Sequence, residues 1–518
     1  MKLNNVYNFK NPVKHFLDID SLKMPGNIEA LRLYDLSWTE SFKFRVKKSD
    51  SKFRTLKIPN ILNFVRAYYF YNDLPNFEDV QQLDIKHKRL SANIETGDFA
   101  GGEFDIQLEK DFERLCIYDE LMKLDIKDYY GRIYTHRLDK NQKDERYFTN
   151  LNLGATNGLI MGNYLSLYFA ESYLAEISKE LEQRLQEQEI ECEFTYFSDD
   201  FYFYYNKGNQ DNIIKIFDYV LESHELERNE GKLEVWNYES FNNYNVVERY
   251  WKKVMSHCNT RFNDDSDKNK LYFINQLIYR MSKLKDDKLK RVFINNFFKT
   301  KYFQKLDLEK FKVKIYDYHQ LCFLMKFTPE CMLYLIDRLD EMSDFDNDKL
   351  YEFFKVRYSQ SLKSEYNEEQ LYYHYAIKKF KFDDILRDVC KLVLKSNNQV
   401  LISYYLKEKL FDGEGIDYLK QKTDEEYWFQ NYHLILYNED LLANLESSIS
   451  KYIMPKNSFD KPTDDLNKME RKRNQRNHYM NFYKENLLES KAIIRDIDDV
   501  GDELNDYLEL KFEEVSYE

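Results

Sequence analysis

Turn-forming residues are scarce: 13 glycines and 7 prolines serve 518 residues, about 4% of the chain against a usual ~12%. Glycine supplies the positive-φ positions of tight turns and proline the rigid ones. A turn-dense all-β fold, a collagen-like chain and a linker-rich chain are therefore excluded, and helices are expected to dominate. A hydrophobic content of 43% excludes a disordered chain, and the length suits two to four domains.

Residues 1–260 mix short aromatic or β-branched runs with a few helical patterns, whereas residues 270–490 read as successive helices between brief polar breaks. The expectation is an α/β domain over residues 1–260 and an all-α domain over residues 261–518. Within residues 384–410, Ile385, Val389, Leu392 and Val393 line one helical face and Leu401, Tyr404 and Tyr405 another, about the break Ser396-Asn397-Asn398. That is a helical hairpin. Similar pairs on either side suggest a HEAT-like stack, with a plain helical bundle as the alternative.

A net charge of −14 rules out a coat of basic surface, so contact with nucleic acid has to come from a local groove. Residues 283–314 carry 11 Lys/Arg against 4 Asp/Glu, and a second basic segment holds Lys468, Arg471, Lys472, Arg473 and Arg476, followed by Tyr479, Phe482 and Tyr483. Such patches are usually solvated helix faces. Residues 496–518 are acidic, with 10 acids against Lys511. Six cysteines without a CxxC pair fit free thiols in a reducing cytosol. The first residues lack the apolar core of a signal peptide and no uncharged run of 18 apolar residues occurs, so a cytoplasmic protein with no membrane partner is expected.

Six Asp-Asp doublets occur, at Asp199, Asp264, Asp286, Asp383, Asp464 and Asp498, so a doublet alone means nothing. Only the one at Asp199-Asp200 is flanked on both sides by strand-like aromatic runs, over residues 194–205, which reads as two strands meeting at an acidic turn. Two carboxylates at a tight hairpin repel unless cations sit there. A further acid, Asp125, ends the strand-like run of residues 121–126. If the strands are neighbours, Asp125 faces Asp199, and two Mg²⁺ ions (Mn²⁺ being the alternative) about 3.5–4 Å apart could clamp a nucleotide's phosphates and activate a 3′-hydroxyl. Tyr130 would then lie beside the nucleotide's sugar, leaving no room for a 2′-OH; its bland reading is a core aromatic. Between the acids, Gly154, Gly158 and Gly162 fall within nine residues, which implies close approach to a substrate or special backbone angles. A helix follows, with Leu167, Ala170, Leu174, Ile177, Leu181 and Leu185 on one stripe. Asn229 and Lys232 stand three apart, and residues 41–59 look like a hairpin carrying Arg54.

This order of elements resembles the fingers and palm of a reverse transcriptase. Phe197-Ser198-Asp199-Asp200 is similar to the [YF]xDD box, and Leu124-Asp125-Ile126-Lys127-Asp128-Tyr129-Tyr130 to the preceding acidic motif of retron and group II intron type enzymes. Residues 158–166 resemble the glycine loop and helix start, residues 226–232 the Asn/Lys motif, and residues 53–59 the fingers strand that contacts triphosphate. Ile160 and Asn163 stand where the family usually has prolines. The resemblance implies catalysis by Asp125, Asp199 and Asp200, metal binding at Asp125, Ile126, Asp199 and Asp200, and nucleotide binding at Arg54, Tyr130, Gly162, Asn163 and Lys232. With Gly131-Arg132-Ile133-Tyr134-Thr135-His136 and a helical C-terminal half, the chain looks most like prokaryotic antiphage reverse transcriptases of the abortive-infection and related defence groups. That likeness implies homo-oligomers that use deoxynucleoside triphosphates and make a DNA product, RNA-directed or untemplated, some primed on protein and some working with a dedicated noncoding RNA. Tyr517, near an acidic terminus, is the candidate primer. The rival expectation is a catalytically silent RNA-binding scaffold on a polymerase fold.

Overall fold

The computed structural model describes residues 2–49, 52–138, 146–245, 272–284, 286–305, 318–340, 347–456 and 464–516. All the strands described lie before residue 237, and every described element from residue 272 onward is a helix. The expected boundary near residue 260 falls outside the described residues.

Among the described residues, eight strands form three sheets: β1 (Phe42–Ser49) with β2 (Lys52–Ile58), β3 (Ala92–Asn93) with β4 (Asp98–Phe99), and a four-stranded sheet. The last contains β5 (Glu120–Asp125), β6 (Cys192–Phe197), β7 (Asp200–Tyr205) and β8 (Glu234–Trp236) in the order β6-β7-β5-β8, all antiparallel. Because side chains alternate along a strand, directly opposed residues share a face. Met122, Leu124, Phe194, Tyr196, Phe201 and Phe203 make one face, which is buried. Phe217, on the helix Gln210–Ser223, packs on it with ring centroids 5.1 Å from Phe201 and 5.7 Å from Phe203. Lys123, Asp125, Phe197, Asp200 and Tyr202 share the opposite face. The far end of that face is apolar, where Leu121 and Tyr204 join Phe112, Leu115 and Phe241 in a small second core.

The long crossover from β5 to β6 is α1 (Tyr164–Glu187), whose stripe of Leu167, Ala170, Leu174, Ile177, Leu181 and Leu185 is buried as its 3.6-residue period predicts. The β1–β2 hairpin also forms where its sequence pattern indicates, with Val46 opposite Arg54.

In the helical half, α2 (Met332–Asp340), α3 (Asn367–Lys379), α4 (Gln399–Lys407), α5 (Trp428–Leu436), α6 (Leu445–Tyr452) and α7 (Leu466–Leu488) pack one against the next in chain order. Other helices connect and cover this row, among them Asn347–Ser361 between α2 and α3. The expected hairpin at residues 384–410 is present, with Leu401, Tyr404 and Tyr405 buried and Asn397 at φ 54° in the break, but its first arm is interrupted at Val389 into Asp383–Asp388 and Cys390–Lys395.

The two halves interlock. Asn367 Oδ1 accepts from the Arg45 N–H at 2.8 Å, the Glu368 carboxylate accepts from the Lys47 N–H, and the Tyr366 hydroxyl donates to the Ser49 carbonyl at 3.0 Å. The N-terminal end of α3 thus satisfies the outward backbone groups of β1. A final helix, α8 (Ile497–Ser516), returns to the β3–β4 hairpin, where the Tyr507 hydroxyl donates to Asp98 at 2.9 Å.

Candidate functional site

The site lies where β5 ends beside the β6–β7 turn. Asp125 stands directly opposite Asp200, and the Ile126 N–H donates to the Asp199 carbonyl at 2.9 Å. Ser198 and Asp199 form the two-residue turn, with Ser198 at φ 53°. The three aspartates therefore converge on one edge of one sheet face. Residues 226–232 run antiparallel beside residues 125–127: the Lys127 N–H donates to the Glu227 carbonyl at 2.8 Å and the Asn229 N–H to the Asp125 carbonyl at 2.7 Å. This pairing carries the Asn229 and Lys232 side chains to Asp125. Asn229 Nδ2 donates to Asp125 Oδ1 at 2.8 Å, and the Lys232 ammonium pairs with the other oxygen. On the far side, Lys123 Nζ lies 2.9 Å from Asp200 Oδ2.

Electrostatics mark the turn. Burial, followed by the charges of Asp200 and Asp125, raises the Asp199 carboxyl above its ordinary value, while Lys232 works in the opposite sense. Among the described residues no three His, Cys, Asp or Glu side chains are close enough together to hold a metal ion, and in this arrangement Lys123 and Lys232 supply the positive charge. All three side chains are nonetheless oxygen donors, the type a hard divalent cation takes, and their repulsion shows in Asp199; Lys232, which pairs with Asp125, is 48% exposed.

Tyr130 is half-buried, five residues past Asp125. Burial, then Glu171 and Asp199, raise its phenol well above the ordinary value, with Arg54 opposing, so it lies within electrostatic reach of both the acidic turn and the β1–β2 hairpin. Arg54 itself is exposed on β2. The glycine loop packs backbone to backbone on this region: the Leu159 N–H donates to the Tyr130 carbonyl at 2.8 Å and the Gly158 N–H to the Ile133 carbonyl at 2.9 Å. Gly158 has φ 84°, and a Cβ there would stand 3.2 Å from the Gly131 carbonyl oxygen. Gly162, at φ 110°, lies between Asn11 and Leu56 of β2. Asn163 is turned inward: its Oδ1 accepts from the Ser166 N–H at 2.9 Å, capping α1, and its Nδ2 donates to the Ile160 carbonyl at 2.9 Å. Tyr517 lies outside the described residues, as do Lys285 and residues 306–314 of the first basic segment.

Two neighbours escaped the sequence reading. Lys123 follows from strand alternation, being two residues before Asp125 on the same face. Lys10 has no such signal. Its ammonium sits 4.6 Å from the Phe99 ring centroid and 5.5 Å from that of Phe197, beside the acidic turn. The residue is exposed, yet the walls around its ammonium desolvate it and, with Lys288, Lys299 and Arg54 nearby, lower its pKa against the pull of Asp98.

No family model matches the chain, and no curated protein matches it. Among solved structures, telomerase from Candida albicans in complex with a TWJ fragment of telomeric RNA is similar over 85% of this chain and 67% of that chain, at 12% identity and a TM-score of 0.27. At that score the similarity carries no weight for fold or activity.

Proposed function

We propose that the protein is a reverse-transcriptase-like DNA polymerase that adds deoxynucleotides at Asp125 and Asp199. The observation that carries this reading is the register of Asp125 against Asp200 on neighbouring strands, with Asp199 in the turn between β6 and β7. The attachment of Asn229 and Lys232 to Asp125 supports it, because the family's motifs then meet in space. Mg²⁺ or Mn²⁺ held by Asp125, Asp199, Asp200 and the Ile126 carbonyl would supply Lewis-acid activation of a 3′-hydroxyl and neutralise the phosphates. Arg54 and Lys10 would bind the triphosphate, and Lys232 would give a proton to the departing pyrophosphate. Tyr130 would close the space a 2′-OH needs. Gly162 would let the backbone approach the nucleotide, and Asn163 would hold that loop in shape.

The wider setting is that of the resemblance, a homo-oligomeric antiphage enzyme that either works with a noncoding RNA or primes on protein; the acidic tail offers Tyr517 as the candidate primer, and the free cysteines suit the cytoplasm. The decisive test is Asp199→Asn, which should cut incorporation of a labelled deoxynucleotide by about 10²-fold or more while the unfolding midpoint is kept or raised. Undiminished incorporation would end the polymerase reading.

A second reading, a silent RNA-binding scaffold, draws on one observation: Lys123 and Lys232 already neutralise two of the three carboxylates. Calorimetric titration separates the two. Saturable Mg²⁺ or Mn²⁺ binding that Asp125→Asn removes favours the enzyme, and its absence favours the scaffold.

A further inference from the structure

The first turn and a half of α7 stands clear of the rest of the protein. Residues 466–471 are exposed all round, with Leu466 and Met469 at 79% and 51%. Within the nine residues 468–476 stand five cations, Lys468, Arg471, Lys472, Arg473 and Arg476, against Glu470 alone, in a chain whose net charge is −14. The helix is not a loose appendage. Gln475 Nε2 donates to the Tyr34 and Leu36 carbonyls at 2.7 and 3.2 Å, the Tyr479 hydroxyl donates to Asn63 Oδ1 at 2.5 Å, and Asn60 Nδ2 donates to the Tyr483 hydroxyl at 2.5 Å. These bonds, made by the buried side of α7, fix the helix against residues 34–36 and residues 60–63.

The neighbouring segment, residues 34–38, presents two flat rings to solvent. Tyr34 is 45% exposed and lies against the Arg471 guanidinium, 5.4 Å from it, and Trp38 is 49% exposed. The Trp38 ring rests on Gly154, where a Cβ would come within 2.9 Å of it, so one face of the indole is seated on backbone. The Thr39 N–H donates to the Asn150 carbonyl at 2.9 Å and the Leu153 N–H to the Thr39 carbonyl at 3.1 Å, which joins Trp38 to the start of the glycine loop. Four residues on, that loop packs on Tyr130 and Gly131. Cations, an Arg-backed tyrosine, a seated tryptophan and the candidate site thus follow one another.

We propose that the basic face of α7 with Tyr34 and Trp38 is a docking surface for single-stranded nucleic acid, phosphates on the helix and unstacked bases on the rings. Positive charge answers the phosphates, and exposed aromatic faces answer bases, which a duplex keeps stacked and a polypeptide lacks. The onward course of the strand toward Asp199 rests on the polymerase reading; the docking itself does not.

The test uses the 518-residue chain freed of copurifying nucleic acid, with fluorescence anisotropy of labelled 20-mers of oligo-uridine and oligo-thymidine over a salt series. The triple variant Arg471→Glu, Lys472→Glu, Arg473→Glu should weaken binding at least tenfold and flatten the slope of log Kd against log salt by about 2. Trp38→Ala should weaken binding by about 5- to 150-fold at unchanged salt slope, the stacking of one base, and Trp38→Phe should recover most of it. Unchanged unfolding midpoints show that the variants fold. Unaltered affinity and slope in the triple variant would overturn the proposal, as would equal competition by a duplex of the same length or by poly-glutamate. Asp199→Asn should bind as the native chain does, so if that variant still polymerised while charge reversal abolished binding, the polymerase reading would fall and the docking surface would stand.

Discussion

Single side chains at the candidate site are over-determined by their neighbours. Asp125 is 2% exposed and shares its carboxylate between Asn229 and Lys232, so its position does not depend on one partner. Gly158 is held by conformation as well as contact. Gly158→Ala places a side chain at φ 84° against the Gly131 carbonyl and should destabilise the chain by about 1–3 kcal/mol in denaturant titration; a loss below a few tenths would mean the loop relaxes freely. Tyr130→Ala leaves its backbone bond to Leu159 intact, so the variant is expected to fold and to admit ribonucleotides alongside deoxynucleotides. Unchanged sugar discrimination in single-nucleotide assays would remove Tyr130 from the sugar site.

At the scale of elements, the contact between α3 and β1 has its own pH dependence. Glu368 accepts a backbone hydrogen bond from Lys47, yet burial, the first cause, together with Glu369 raises its carboxyl to about 8 from an ordinary 4.5. A raised carboxyl binds its proton more tightly in the folded chain. Its contribution is therefore fully present below about 4.5 and lost as pH rises through about 8. Glu368→Gln keeps an acceptor for Lys47 without the charge, so its thermal midpoint should exceed that of the native chain at pH 8 and converge with it near pH 4. Parallel curves across that range would show that Glu368 does not govern the docking. The elements themselves were legible to different degrees. The β6–β7 hairpin, the β1–β2 hairpin and the buried stripe of α1 announce themselves because periods of two and 3.6 residues are local properties. The interruption at Val389, the placement of Lys10 beside Phe197 and the inward turn of Asn163 depend on what the rest of the chain packs against them.

Across the whole molecule, sequence halves are not independent bodies. One hydrophobic cluster runs from Val6 to Phe512. The Asp18 N–H donates to the Ile493 carbonyl at 2.8 Å, the Arg495 N–H to the Phe16 carbonyl at 2.9 Å, and the Tyr404 hydroxyl to the Arg495 carbonyl at 2.8 Å. Residues almost the length of the chain apart thus share backbone bonds, which composition and periodicity could not reveal. Calorimetry should record a single heat-unfolding transition, and two resolved transitions would show that the halves melt separately.

The covering of β1 by α3 also bears on how copies of the chain associate. A strand with open backbone groups is a template on which another strand can grow, the usual route to uncontrolled stacking of sheets. Here the Arg45 and Lys47 N–H groups and the Ser49 carbonyl are already taken by Asn367, Glu368 and Tyr366. Growth of a new strand on β1 would first require α3 to be peeled away, so aggregation through this margin is closed for as long as the two halves remain folded together.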